Sequence, residues 1–203
     1  GFVDAYRQVM HSFYQTLIDN PDYTAIINER QLARLEHLKT DAVAKGARLI
    51  PLYEQGQGRR MAHCLVLDVN DDMQVMQEEI FGPLLPVVAY RDLEQALAYI
   101  TERPRPLALY YFGYNKVEQQ RVLQNSHSGG VCINETLLHV AVDDLPFGGV
   151  GPSGMGRYHG HEGFLTFSHA KSVLAKQRVN SSLAIYPPYG RKLGRLVQKL
   201  FIR

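Results

Sequence analysis

The sequence contains no tryptophan and only two cysteines among its 203 residues, and neither sign of charge dominates. Cys64 and Cys132 lie far apart and form no C-x-x-C pair, which argues against a disulfide framework or a structural zinc site and favours a reducing, cytoplasmic compartment. The 22 Lys and Arg residues barely exceed the 20 Asp and Glu residues, so nucleic acid is not expected as the main partner.

Long apolar runs are also missing. No run reaches the roughly 18 residues of a membrane span, and the first residues form neither the basic segment nor the apolar core of a signal peptide, so we expect a soluble protein. Hydrophobic residues still make up 45% of the chain, enough for one large domain or one domain with an appendage. The chain opens at Gly1, without methionine and already inside a helical pattern, which suggests part of a longer protein.

The first third of the sequence carries two amphipathic patterns. Apolar residues at three- and four-residue steps predict helices over residues 2–17 and 28–46, and Asn28 followed by Gln31 resembles a capping box at the second start. Two short apolar runs, rich in part in β-branched or aromatic residues, then predict strands over residues 48–53 and 63–69.

The middle of the sequence alternates between strand and helix patterns. A short helix is predicted over residues 73–79 and is followed by strand, helix, strand, helix and strand, an order typical of a parallel α/β sheet. These five elements are predicted over residues 84–90, 92–104, 107–114, 116–124 and 131–134.

Glycine is concentrated near the end of the chain, where nine of the seventeen glycines follow residue 147. Residues 143–164 show no clean periodicity, so we predict an ordered loop there. Residues 149–154 match G-x-G-x-x-G, but Pro152 removes an amide donor and more glycine follows, so we do not interpret them as a dinucleotide-binding loop. We expect backbone that passes too close to other atoms for side chains to fit.

No metal site is predicted. The residues of metal-binding type lack the i, i+4 spacing of a zincin helix, and a histidine in a loop is usually a hydrogen-bonding side chain. They are His139, His159, His161, Glu162 and His169. Cys64 and Cys132 lie in apolar runs, where a small buried thiol without basic, exposed surroundings is expected.

Residues 78–83, Glu-Glu-Ile-Phe-Gly-Pro, are more informative, because a chain-reversing Gly-Pro follows an acidic pair and an aromatic residue directly before a predicted buried strand. In an extended segment Glu79 and Phe81 would point the same way. A carboxylate can accept two sugar hydroxyl groups while a ring packs against a planar or ribose face. Composition alone favours a solvated glutamate pair beside a core phenylalanine, and both interpretations stay open.

Four segments, in this order along the chain, together resemble the aldehyde dehydrogenase superfamily. They are residues 78–83, 106–110 (Pro-Leu-Ala-Leu-Tyr), 128–134 (Ser-Gly-Gly-Val-Cys-Ile-Asn) and 145–156 (Leu-Pro-Phe-Gly-Gly-Val-Gly-Pro-Ser-Gly-Met-Gly). Residues 158–164 and 167–169 are similar to the class-three branch, and residues 134–139 to its coniferyl aldehyde dehydrogenase type. The resemblance implies part of an α/β, parallel-sheet catalytic domain of the aldehyde dehydrogenase fold.

The resemblance also implies roles for five residues. Glu79 would hold the nicotinamide ribose hydroxyl groups of NAD or NADP, and Phe81 would pack beside the nicotinamide riboside. Phe147 and His139 would line the pocket for the aldehyde substrate. Asn134 would be structural and would position backbone near the site.

Members of this superfamily form a thiohemiacetal on a cysteine, transfer hydride to NAD or NADP, and hydrolyse the resulting thioester with a glutamate base. Neither Cys64 nor Cys132 matches the motif of that nucleophile. The resemblance therefore places the nucleophile, the base and the nucleotide-binding half upstream of Gly1 and no catalytic residue in this chain. It implies the C-terminal part of an enzyme that oxidises aldehydes, including aromatic ones of the coniferyl type, to acids; this part alone is expected to be inactive.

Two other functions stay open on the sequence. One is a superfamily reductase that acts on an acyl thioester or acyl phosphate, and the other is a non-catalytic oligomerisation module. The resemblance divides the chain into residues 1–165 of the catalytic domain, an oligomerisation strand over residues 166–178 that implies a homodimer, and a tail over residues 179–203. Residues 191–203 predict a basic amphipathic helix; we favour docking on its own protein over weak contact with an anionic membrane surface.

Overall fold

A computed structural model describes residues 1–17, 19–54, 56–176, 178, 186–188 and 191–201. The chain divides into two compact units, Gly1–Ala96 and Leu97–Arg203. Its strands form a three-stranded sheet in the first unit and a two-stranded sheet in the second.

The first unit begins with two helices, α1 (Phe2–Phe13) and α2 (Glu29–Ala44). Helix α2 starts where the sequence predicts, because the Asn28 side chain accepts a hydrogen bond from the backbone N–H of Gln31 at 2.9 Å. The remaining elements are β1 (Arg48–Pro51), β2 (Cys64–Leu67), a 3₁₀ turn (Gln74–Met76) and β3 (Leu84–Pro86). The helix predicted over residues 73–79 is thus only this single turn.

The core of the first unit lies between α2 and the sheet. Strand β2 is central and pairs antiparallel with β1 and parallel with β3. Leu35 and Leu38 of α2, Val66 of β2 and Met73 are at most 1% exposed. Burying a side chain of this size contributes roughly 1.5–3 kcal/mol, so these residues stabilise the unit by several kcal/mol.

The second unit is built around one parallel β-α-β connection. Strand β4 (Ala108–Tyr111) leads into α4 (Lys116–Asn125) and then into β5 (Gly130–Ile133), which pairs parallel with β4. Helix α3 (Leu93–Thr101) precedes these elements. A 3₁₀ turn (Leu138–Ala141), α5 (Gly160–Thr166) and α6 (Lys192–Phe201) follow them.

The predicted α/β class with parallel strands is confirmed, but two details of the prediction are wrong. The strands over residues 84–134 do not form one continuous parallel sheet, because β3 pairs with β2 and β4 pairs with β5. Strand β3 has three residues and ends at Pro86. The loop predicted over residues 143–164 contains the start of a helix, α5.

The end of the chain is only partly as expected. Residues 169–176, within the predicted oligomerisation strand, belong to no strand or helix, and residue 177 lies outside the described residues. Helix α6 forms in the predicted tail, with Leu196 and Leu200 exposed. The predicted apolar residues Leu193, Val197 and Phe201 have side chains outside the described part of the structure. Among the described residues, no helix is long and apolar enough to cross a membrane.

Asn134 joins the ends of the two strands in the second unit. Its backbone N–H donates to the carbonyl of Tyr111 at 2.7 Å. Its side-chain Oδ1 accepts from the N–H of Gly113 at 2.7 Å, and its Nδ2 donates to the carbonyl of Gly113 at 3.2 Å. The residue has φ of 57°, a left-handed conformation that asparagine tolerates better than most residues.

We predict that Asn134→Ala lowers the free energy of unfolding of the full-length protein by about 2–3 kcal/mol. Two hydrogen bonds of about 1 kcal/mol each are lost, and a left-handed alanine costs about 1 kcal/mol more. Chemical denaturation measures the change. The control is Asn125→Ala on the exposed face of α4, where a 2.9 Å bond to the carbonyl of Arg121 is lost and less than about 0.5 kcal/mol is expected. Equal effects of the two changes would contradict the role of Asn134.

Candidate functional site

Phe81 lies in a strained turn and shows its ring to solvent. Its φ is 45°, in the left-handed region that costs a non-glycine residue about 1–2 kcal/mol. The residue is 84% exposed, so the expectation of a core phenylalanine is wrong. The assumption of an extended segment also fails at this residue, and the alternation of strand side chains therefore does not apply to Glu79 and Phe81. An exposed aromatic ring on a strained backbone is a feature of binding sites.

Arg34 of α2 forms hydrogen bonds with the backbone of this turn. Its Nη1 donates to the carbonyl of Glu79 at 3.1 Å, and its Nη2 donates to the carbonyl of Ile80. The Nη1 atom also lies 4.0 Å from a carboxylate oxygen of Glu78. The same arginine donates through Nε to Gln31 at 2.9 Å. The guanidinium thus connects the first turns of α2 to the two residues directly before Phe81.

Gly82 brings the turn against the same helix. A Cβ atom at this position would lie 2.5 and 2.6 Å from the two methyl carbons of Leu35, which is fully buried. Only a residue without a side chain allows this approach. The Glu79 carboxylate and the Phe81 ring are therefore presented by a backbone that is fixed on both sides, and both residues are exposed.

A cavity of about 540 Å³ opens beside Phe81. Its aromatic wall includes Tyr14, Tyr23 and His63, whose rings meet edge to face with centroids 5.2 and 5.6 Å apart. Burial raises the pKa of Tyr23 to about 12, and its hydroxyl donates to the carbonyl of Met61 at 2.6 Å. Burial lowers the pKa of His63, so its imidazole is neutral at pH 7. The wall is therefore uncharged and suits a planar, apolar group.

These residues fit the part of NAD or NADP that the resemblance assigns to them. An exposed carboxylate at Glu79 can accept hydrogen bonds from two adjacent sugar hydroxyl groups, and an exposed ring at Phe81 offers a flat apolar face. The fit rests on the exposure of Glu79 and Phe81 on one turn that Arg34 holds by hydrogen bonds.

A second group of candidate residues lies in the second unit, around Phe147. The Phe147 ring centroid is 5.5 Å from that of His139, 5.6 Å from that of Tyr158 and 6.3 Å from that of His159. Tyr110 of β4 adds a contact with His139 at 6.0 Å. The two residues predicted for the aldehyde pocket, Phe147 and His139, are therefore in direct contact and form one aromatic wall.

His139 is held in this wall by Cys132 of β5. The Cys132 sulfur lies 3.2 Å from Nδ1 of His139. When the thiol donates to Nδ1, the imidazole proton lies on Nε2. Among the described residues, Nε2 of His139 and Nδ1 of His159 are buried without a hydrogen-bond partner. The expectation that Cys132 is a buried thiol is confirmed, but its imidazole neighbour was not foreseen.

Cys64 is the buried, unreactive thiol that the sequence predicts. It is 4% exposed, and burial raises its pKa, which disfavours the nucleophilic thiolate.

Backbone contacts within the glycine-rich loop hold Phe147 in the aromatic wall. Phe147 and Tyr158 exchange two backbone hydrogen bonds of 2.9 Å, so the loop between them folds back as a hairpin. A Cβ atom at Gly149 would lie 2.1 Å from the carbonyl oxygen of Ser153. The predicted close passage of backbone is confirmed, and its effect is to fix the position of Phe147.

The histidines near this loop pack against aromatic rings. Within the described residues, no three His, Cys, Asp or Glu side chains are placed to hold a metal ion. The side chain of His159 instead packs on Tyr158, with ring centroids 4.4 Å apart.

The predicted site residues therefore fall into two groups. Glu79 and Phe81 lie together in the first unit, and Phe147 and His139 lie together in the second, where Asn134 joins the strand ends. Sequence reasoning missed Arg34 as a support of the Glu79 turn. It gave no signal for that role, because 45 residues separate Arg34 from Glu79.

Known proteins resemble this chain over most of its length. The sequence profile of the aldehyde dehydrogenase family covers residues 2–173. A Pseudomonas aeruginosa protein named "Probable coniferyl aldehyde dehydrogenase" is 66% identical over 202 residues, which cover 100% of this chain and 42% of that protein. The Rattus norvegicus protein "Aldehyde dehydrogenase, dimeric NADP-preferring" is 40% identical over 197 residues, which cover 95% of this chain and 42% of that protein.

A solved structure, "Substrate bound state of Staphylococcus Aureus AldH", has a TM-score of 0.80 and 38% identity, and the match covers 98% of this chain and 43% of that one. The chain spans about 42% of the length of the curated relatives that it matches. The family profile and the shared fold both extend over most of the chain, so the chain belongs to the aldehyde dehydrogenase family.

Proposed function

We propose that this chain is the C-terminal part of an NAD(P)-dependent aldehyde dehydrogenase that oxidises aldehydes, with aromatic aldehydes of the coniferyl type as the preferred class, to carboxylic acids. The observation that carries the proposal is the exposed, strained Phe81 two residues after Glu79, on a turn that Arg34 holds by hydrogen bonds. The 66% identity to the Pseudomonas protein supports the coniferyl-type aldehyde. With both cysteines free, the cytoplasm is the proposed compartment.

In this proposal the first unit binds the cofactor. The carboxylate of Glu79 accepts hydrogen bonds from the nicotinamide ribose hydroxyl groups, and the ring of Phe81 packs beside the riboside. NAD or NADP, when bound, supplies the acceptor for the hydride of the substrate. The contribution of this chain is orientation: a ribose held at two hydroxyl groups, with an aromatic ring beside it, has little freedom to rotate.

The second unit supplies the wall of the aldehyde pocket. Phe147 and His139 are in contact and are backed by Tyr110 and Tyr158, so an aromatic aldehyde meets rings with which it can pack edge to face. The nucleophilic cysteine and the glutamate base belong, in this proposal, to a part of the protein outside this chain. The chain alone is then inactive, since neither of its cysteines is placed as a nucleophile.

We predict that Glu79→Gln in the full-length enzyme weakens binding of NADH or NADPH by about tenfold. The amide replaces charge-assisted hydrogen bonds to the ribose with neutral ones, a loss of roughly 1.4 kcal/mol. Titration of cofactor fluorescence measures the dissociation constant, and steady-state kinetics with coniferyl aldehyde measures kcat and KM.

Phe147→Ala is the matched control, because it removes a ring from the proposed aldehyde pocket and not from the proposed cofactor site. It should raise the KM for coniferyl aldehyde and leave the dissociation constant of the cofactor unchanged. If Glu79→Gln alters neither cofactor affinity nor kcat, the assigned role of Glu79 is wrong.

We further propose that the full-length protein is a homodimer that pairs through residues 166–178. Residues 169–176 are in no strand, and within them Val173 is 78% and Leu174 98% exposed. A segment that belongs to no strand and exposes two adjacent apolar side chains can pair with the sheet edge of another copy. The name of the rat relative describes that protein as dimeric.

Light scattering should give twice the subunit mass for the full-length protein at micromolar concentration. Leu174→Asp should shift the mass toward that of the monomer, because a carboxylate replaces a buried apolar contact in the dimer. Lys192→Asp, which changes an exposed charged residue outside this segment, is the control and should remain dimeric. A monomer mass for the unmodified protein would contradict the proposal.

For the tail we propose weak contact with an anionic membrane surface, because Leu196 and Leu200 are exposed on a helix that also carries Lys199. Vesicles with phosphatidylserine should pellet a small fraction of the full-length protein, less at high salt because ions screen the basic residues. Deletion of residues 191–203 should abolish the pelleting. Pelleting that the deletion leaves unchanged would favour a helix docked on its own protein.

A further inference from the structure

The side chain of Arg34 connects helix α2 to the Glu79 turn through hydrogen bonds. Two of its nitrogen atoms donate to the consecutive carbonyl oxygens of Glu79 and Ile80. Its third nitrogen, Nε, donates to Oε1 of Gln31. The side chain is 30% exposed, so the guanidinium lies in the boundary between helix and turn, partly shielded from water.

The anchor behind Arg34 begins at the start of α2. Asn28 caps the helix by accepting from the N–H of Gln31, and the side chain of Gln31 accepts from Nε of Arg34 at 2.9 Å. Gln31 therefore does not complete the capping box that the sequence suggests; its side chain orients the arginine. Leu35, the next residue of the helix, is fully buried and contacts the turn at Gly82. The guanidinium consequently has a fixed position relative to the core.

The geometry points to Arg34 as a positioning residue for cofactor binding: we propose that its hold on the carbonyls of Glu79 and Ile80 keeps the Glu79 carboxylate oriented toward the nicotinamide ribose and Phe81 in its left-handed conformation. This inference rests on the proposed role of Glu79. Arg34 itself does not touch the cofactor in this proposal.

Arg34 acts by orienting the backbone of the turn and not by attracting the charge of Glu78. The ion pair of Arg34 with Glu78 is long, 4.0 Å, and the Glu78 side chain is 53% exposed, so this pair contributes little. The two carbonyl contacts are the strong ones, and the planar fork of arginine matches them as the single ammonium group of lysine cannot. Phe81 needs such support, because a left-handed non-glycine residue relaxes to an ordinary conformation when its surroundings release it.

The test uses four variants of the full-length enzyme: Arg34→Met, Arg34→Lys, Glu79→Gln and the double variant Arg34→Met/Glu79→Gln. The dissociation constants of NADH and NADPH are measured by fluorescence titration without substrate, and kcat and the KM for the aldehyde are measured separately. Arg30→Met is the matched control, because Arg30 is an exposed arginine on the first turn of the same helix. Thermal unfolding of each variant shows whether it is folded.

We expect Arg34→Met to weaken cofactor binding about fivefold, less than the tenfold effect of Glu79→Gln. Arg34→Lys should fall between the arginine and methionine proteins, because lysine donates to one carbonyl at a time. The KM for the aldehyde should stay constant. In the double variant the effects should add only in part, since the effect of Arg34 on the Glu79 carboxylate is already lost while its effect on Phe81 remains. Arg30→Met should bind cofactor like the unmodified enzyme.

The outcomes separate the two proposals. If Glu79→Gln leaves cofactor affinity unchanged, the proposed function of this turn fails. If Glu79→Gln weakens binding but folded Arg34→Met or Arg34→Lys does not, the inference about Arg34 alone is wrong. Fully additive effects in the double variant would also overturn it, because Arg34 would then act independently of Glu79. If Arg34→Met does not fold, the Arg34→Lys protein and its combination with Glu79→Gln give the same decision.

Discussion

The packing of α2 against β2 determines most of what the first unit does. Leu35 and Leu38 on one face of the helix are buried with Val66 of the strand, and this contact supplies much of the hydrophobic stabilisation of the unit. The same helix carries Arg34 beside Leu35, so the core and the support of the candidate cofactor site share one element. A shift of α2 along the sheet would move the Leu35 methyl groups away from Gly82 and the guanidinium away from the Glu79 carbonyl together.

In the second unit, the aromatic wall of Phe147 and His139 is held in place mainly by contacts between backbone segments. Few side chains among its described residues are fully buried, and backbone segments approach each other closely. Gly149 passes the carbonyl of Ser153, the hairpin pairs Phe147 with Tyr158, and Asn134 closes the ends of β4 and β5 through Gly113. Substitutions here act through sterics and hydrogen bonds, whereas substitutions in the first unit act mainly through the hydrophobic core.

The sequence predicted the order of helices and strands well, because the apolar patterns of α1, α2, α3 and the strands are local. It failed where distant segments decide the conformation. Nothing around Phe81 indicates that its ring faces water, since that depends on Arg34 and Leu35 more than 40 residues earlier. The partner of Cys132 was also invisible, because His139 reaches it through the conformation of the intervening turn. The pairing of β3 with β2 required knowledge of which edges meet, which periodicity does not contain.

The atoms that accept hydrogen bonds from Arg34 are main-chain oxygens. Every residue type carries a carbonyl, so the grip on positions 79 and 80 does not depend on which side chains stand there. The backbone of the turn is therefore held in the same way whichever side chains the turn carries. Side chains at its tip can be exchanged to suit a different ligand, while the helix, the arginine and the contact at Gly82 keep the backbone in place.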